Sequence, residues 1–103
     1  MRRLAKLLHD YTVAVGFPDA SGFEIIEMLM VRSKIARHEP RLTSEQRQQL
    51  EIADRKLMRD ARRFYQSAQE IASLPEFRAE SGVLPSHWWW YLDALVEEPA
   101  TAA

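Results

Sequence analysis

Apolar residues recur at helical spacing along most of the chain. Leu4, Leu7, Leu8, Tyr11 and Val15 step by three and four, with Arg2, Arg3, Lys6, His9 and Asp10 between them, which predicts an amphipathic helix over about 2–15. Gly16-Phe17-Pro18 ends it, and Ser21 or Gly22 opens a second helix to about residue 37. The centre of that second helix, Ile25-Ile26-Glu27-Met28-Leu29-Met30-Val31, is apolar almost all round, so it is expected to be deeply buried or shared with a partner. His38-Glu39-Pro40 stops it. Thr43-Ser44-Glu45-Gln46 has the form of a capping box, and no Gly or Pro follows before Pro75, so a third helix is predicted over about 44–73.

The third helix carries a regular seam. Leu50, Ala53, Leu57, Ala61, Phe64, Ala68 and Ile71 advance by three or four, alternating large and small side chains as close helix packing requires. Met58, Tyr65 and Ala72 form a second stripe beside it. A straight helix of some 30 residues measures about 45 Å, whereas a globule of this size spans only about 33 Å. The third helix is therefore expected to act as a spine that overhangs its own domain and to need cover from another chain or from the C-terminal segment.

Pro75 can begin a helical turn over 75–80, which Ser81-Gly82 ends, and Pro85-Ser86 introduces a last helix over about 86–97. That last helix contains all three tryptophans in the run His87-Trp88-Trp89-Trp90-Tyr91-Leu92. At about 100° per residue, Trp88, Trp89, Leu92, Leu95 and Val96 share one face, while Trp90 falls about 200° from Trp88, beside Asp93 and Ala94. Trp88 and Trp89 are thus assigned to the core, and Trp90 is the surplus aromatic. Covering it is worth several kcal/mol at about 25 cal/mol/Å². Trp90, Asp93, Ala94, Tyr65 and Met58 are accordingly predicted to form a protein interface. The acidic neighbours Asp93, Glu97 and Glu98 disfavour a nucleobase there.

Composition changes this picture little. The chain has 103 residues, 47% apolar and 28% charged, which bounds it to one modest core, taken here as a domain over 1–98 with a frayed tail at 99–103. The absence of cysteine excludes disulfides and thiolate chemistry, and no apolar run approaches a membrane span, so a cytoplasmic protein with no membrane partner is expected. The net charge is −1, but residues 1–74 hold 13 Lys and Arg against 10 Asp and Glu, while residues 75–103 hold one Arg and five acids. Arg55, Lys56, Arg59, Arg62 and Arg63 lie opposite the apolar seam and make a basic face that could meet a phosphate backbone. Glu51, Asp54 and Asp60 interrupt it, the usual pattern of a solvated helix face.

Enzyme chemistry finds little footing. His9, His38 and His87 have no metal-binding spacing, and no phosphate-binding glycine loop occurs. Glu24 and Glu27 opposite Glu51 and Asp54 could imitate a carboxylate metal cage, but the Glu-x-x-His step of such bundles is missing. No catalytic residue, cofactor or metal is assigned. The sequence predicts an all-α bundle of four main helices plus a short turn. Its expected role is a non-catalytic protein-interaction or oligomerisation module, with a homodimer favoured over a partner protein. The alternative is a small nucleic-acid-associated regulator or antitoxin-like protein using the basic face.

Overall fold

The computed structural model describes residues 3–96. Within them every regular element is helical: α1 (Leu4–Ala14), α2 (Gly22–Ala36), α3 (Ser44–Arg59), α4 (Ala61–Gln69) and α5 (Leu74–Ser81), with 3-10 turns at Glu39–Arg41 and Trp88–Tyr91 and a final helical turn over 92–96. The all-helical class agrees with the periodicity. None of these helices is long and apolar enough to cross a membrane.

Local chemistry accounts for the helix starts. Ser21 and Thr43 each close a capping box, Ser21 with Glu24 and Thr43 with Gln46, so that side chains satisfy donors the first helical turn cannot use. Ser73 caps α5, whose Pro75 has no N–H to lose there. Gly82 ends α5 in the left-handed region at φ 62°, where a side chain would be strained.

The predicted third helix is two helices. The chain departs from helical geometry at Asp60 (φ −102°, ψ 22°), although Asp60 N–H still donates to Lys56 and its carbonyl still accepts from Phe64. Adjacent residues on an ideal helix do not face each other, yet the Asp60 carboxylate takes both Nε and Nη2 of Arg59, at 3.4 and 2.9 Å. An aspartate whose side chain competes for local partners favours such a break, and it then stands at the start of α4, where negative charge is welcome. The two pieces measure about 24 and 13 Å, and the molecule extends 38 × 30 × 25 Å. The expected overhang does not exist.

The apolar seam survives the break. Leu50, Ala53, Leu57, Ala61, Phe64 and Ala68 are all buried, and only Ile71, beyond the end of α4, is exposed. The centre of the bundle is α2 rather than the predicted spine: it packs against α1, α4 and the Trp88–Tyr91 turn, while α1 also packs on α3. Ile25, Met28, Leu29, Val31 and Ile35 supply the inner face of α2.

Gly22 sets the approach of α2 to α4. A methyl group on its Cα would lie 2.5 Å from the Ser67 carbonyl oxygen and 2.9 Å from Ile71. Gly22→Ala is expected to lower stability by about 1–3 kcal/mol in urea unfolding, despite the better helix propensity of alanine. The matching change at Gly82, where nothing lies within 4 Å of the added carbon, is expected to cost only its backbone strain, about 1 kcal/mol. Equal losses at both positions would refute the close-approach argument.

Candidate functional site

The inner face of α2 carries one charged residue, Arg32, only 4% exposed. Its Nε and Nη2 donate to the two carboxylate oxygens of Asp54 on α3, at 2.9 and 3.0 Å, and Nη1 donates to Glu39 at 3.1 Å. The Tyr11 hydroxyl donates to the same Asp54 at 2.6 Å, and the guanidinium lies over the Trp89 ring, 4.2 Å from its centre. Burial disfavours the charged guanidinium, but the bonds and charge of Asp54 outweigh this and hold Arg32 above its ordinary pKa. Burial, reinforced by Asp54, pushes the Tyr11 phenol far up, so it stays a donor. Asp54 is thereby consumed by structure, and Glu24 by its capping box, which removes two members of the carboxylate cage considered from sequence. Among the described residues no group of three or more His, Asp or Glu is arranged to hold a metal ion.

The tryptophan run departs from the expected assignment in part: Trp89 is buried as expected, but Trp90 is buried as well and Trp88 is only half-buried. Trp90 is 3% exposed, stacked on Phe77 of α5 with ring centres 4.5 Å apart. The indole N–H groups of Trp89 and Trp90 donate to one acceptor, the Ser33 hydroxyl of α2, at 3.0 and 2.7 Å. The 3-10 turn Trp88–Tyr91 lies where α5 and α2 close over Trp89 and Trp90, while Trp88 and Tyr91, three apart and so on one side of the turn, are only half-buried. The surplus tryptophan is covered from within the chain.

The other residues expected beside Trp90 are dispersed. Asp93 accepts two bonds from Arg78, at 2.7 and 3.2 Å, while Arg78 also donates to the Trp90 carbonyl and lies over the Tyr91 ring. Burial would raise the Asp93 pKa, but the bonds from Arg78 and nearby backbone N–H groups hold it below the usual carboxylate range. Ala94 is exposed, Tyr65 half-buried on α4, and Met58 49% exposed on α3. Of the basic face, Arg59 pairs with Asp60 and Arg63 with Asp19. Arg55, Lys56 and Arg62 remain exposed around Met58.

Several depressions mark the surface of the described residues, two of them with mixed apolar and charged walls. One, of about 930 Å³, lies between the end of α1, the following loop and the α3–α4 junction, lined by Val13, Phe17, Asp19, Glu24, Arg59 and Arg63. The other, of about 450 Å³, runs between the second half of α2, α5 and the loop before the tryptophans, lined by Met30, Lys34, Arg37, Phe77, Leu84 and Trp90. It continues onto an apolar stripe along the outer face of α2. Phe23 is 75% exposed, Ile26 half-buried and Met30 46% exposed, at spacings of three and four, and Leu84 across the groove is 57% exposed. Sequence reasoning did not single out these positions, although the near-continuous apolar run of α2 announced a second face that the core does not use. Arg32 was also missed; its only signal was an arginine directly after that run, three residues before the apolar Ile35.

Two outcomes test this geometry. Asp54→Ala leaves a guanidinium buried without its main partner and is expected to cost about 3 kcal/mol, whereas Arg32→Met combined with Asp54→Leu should cost clearly less than the two single changes summed. Additive losses in that double-mutant cycle would remove the coupling. Burial, followed by Arg32 and Arg37, depresses the pKa of His87 below its ordinary 6.5, with Glu39 opposing. The unfolded chain then binds a proton that the folded chain resists, so this contribution to stability is lost as pH falls through about 6.5. His87→Gln is expected to flatten the stability curve between about pH 7 and 5.5, and an unchanged slope would contradict the assignment.

Comparison with protein-family models, with curated protein sequences and with solved structures finds no match, so the functional reading rests on the chemistry of these surfaces.

Proposed function

We propose that the protein is a non-catalytic helical module whose task is to bind another protein surface, through the outer face of α2. The observation that carries this is the clustering of exposed apolar side chains there. Phe23, Ile26 and Met30 follow one another along a single helix face, and Leu84 extends the surface across the adjoining groove. Recognition of an amphipathic helix face uses such anchors. Contiguous exposed apolar surface marks contact sites, whereas scattered apolar residues do not. The polar groups support the same reading, since Asp54, Asp93 and Ser33 are each engaged in holding the fold together.

The nucleic-acid alternative has less support. Two of its five basic side chains are tied to aspartates, leaving Arg55, Lys56 and Arg62 with Glu51 beside them. Three remaining charges with a carboxylate beside them make a weak electrostatic footprint.

The triple variant Phe23→Ser, Met30→Ser, Leu84→Ser separates interface from architecture. Its stability in denaturant, measured at nanomolar protein so that association does not contribute, is expected to lie within about 1 kcal/mol of the wild type. A loss of several kcal/mol would make these side chains part of the fold and defeat the interaction reading.

A further inference from the structure

We infer that the occupant of the α2 surface is a second copy of this chain, docked antiparallel about a twofold axis beside Met30. This inference rests on the interaction reading above and narrows it to one partner.

The argument is self-complementarity. Phe23 projects at one end of the stripe, and the groove walled by Phe77, Leu84 and Trp90 opens at the other, with Met30 between them. Phe23, Glu27, Met30 and Lys34 lie within about 60° of one another around the helix, so one flat contact can engage them all. A twofold interface uses the same patch on both subunits, each residue meeting its counterpart's neighbour. An axis beside Met30 therefore carries the Phe23 ring of each copy into the groove of the other. About 21 Å of helix separates Phe23 from Arg37, enough for four turns of contact.

Charge fits the same register. The groove's rim carries Lys34 and Arg37, which would meet the face of the incoming Phe23 ring in a cation–π contact. Glu27 lies on the Phe23 side of Met30 and Lys34 on the far side, so antiparallel pairing brings opposite charges within a turn of each other. A parallel arrangement would set like against like and Phe23 against Phe23, leaving both grooves empty.

The chain contains no cysteine, which makes the register directly testable. Light scattering after size exclusion should give the wild type twice the 12.0 kDa chain mass at tens of micromolar. Met30→Cys should form a disulfide-linked dimer under mild oxidation. Phe23→Asp should weaken association by at least about thirtyfold while leaving the helical circular dichroism unchanged, as expected for a central anchor. Ile52→Asp, also exposed but on α3, should leave the dimer intact. A wild type that stays at 12.0 kDa up to about 100 µM overturns the homodimer, and the stability of the triple serine variant then decides separately whether the surface serves another protein. A dimer that survives Phe23→Asp and does not cross-link through residue 30 overturns this surface while leaving self-association in place.

Discussion

The guanidinium of Arg32 is buried on the inner face of α2, where its neighbours are apolar, and the four segments around α2 are arranged to satisfy it. Asp54 comes from α3, Glu39 from the 3-10 turn, Tyr11 from α1 and Trp89 from the C-terminal run. Apolar surfaces alone would tolerate sliding, because the hydrophobic effect has no direction. A planar fork bonded at two points to one carboxylate does not. Burying a charge pair adds little net stability over a well-packed apolar replacement, so the value of this cluster lies in selecting one arrangement of α1, α2 and α3. We regard that as the specificity element of the fold. The second arginine clasp, Arg78 with Asp93, does the same at the C-terminal end, tying α5 to the turn that carries the tryptophans.

Given that constraint, the break at Asp60 follows from packing needs. A straight helix through residues 44–69 would carry its seam past the end of α2. Bent at Asp60, the seam stays buried on both sides, with α3 facing α1 and α4 facing α2. Gly22 permits the second contact by allowing the start of α2 to approach the backbone of α4. Close approach there and the ionic fork at Arg32 lie ten residues apart on the same helix, so α2 is held at both its N-terminal end and its middle.

Much of this was legible in the sequence. Helix existence, the seam from Leu50 to Ala68, the Thr43 capping box and the Gly82 stop are properties of spacing and local chemistry, and they transfer directly to the structure. The break at Asp60 was not legible, because it costs no backbone hydrogen bond at that residue and leaves the three-and-four spacing of the seam intact. The tryptophan run failed for a different reason. Residue angles rank positions against one another but do not say which face the bundle covers, and here α5 and α2 close over Trp89 and Trp90 rather than over Trp88. Ser33, one hydroxyl able to accept from two indoles, then fixes both rings on α2. No pattern in the run itself reveals a partner more than fifty residues away.

The contrast between Trp90 and Phe23 carries the remaining step. A chain of this length buries about two-thirds of its surface, so some large apolar side chains must face outward. Ile52 and Met58 do so singly on α3, among Glu51, Arg55, Lys56 and Arg62. Phe23, Ile26 and Met30 are continuous along α2 and adjoin a groove whose wall includes Leu84 and Phe77. The same helix that holds Trp90 inside through Ser33 therefore presents an apolar surface beside that residue. The inner side is used up by the fold, whereas the outer side leaves Phe23 and Met30 exposed.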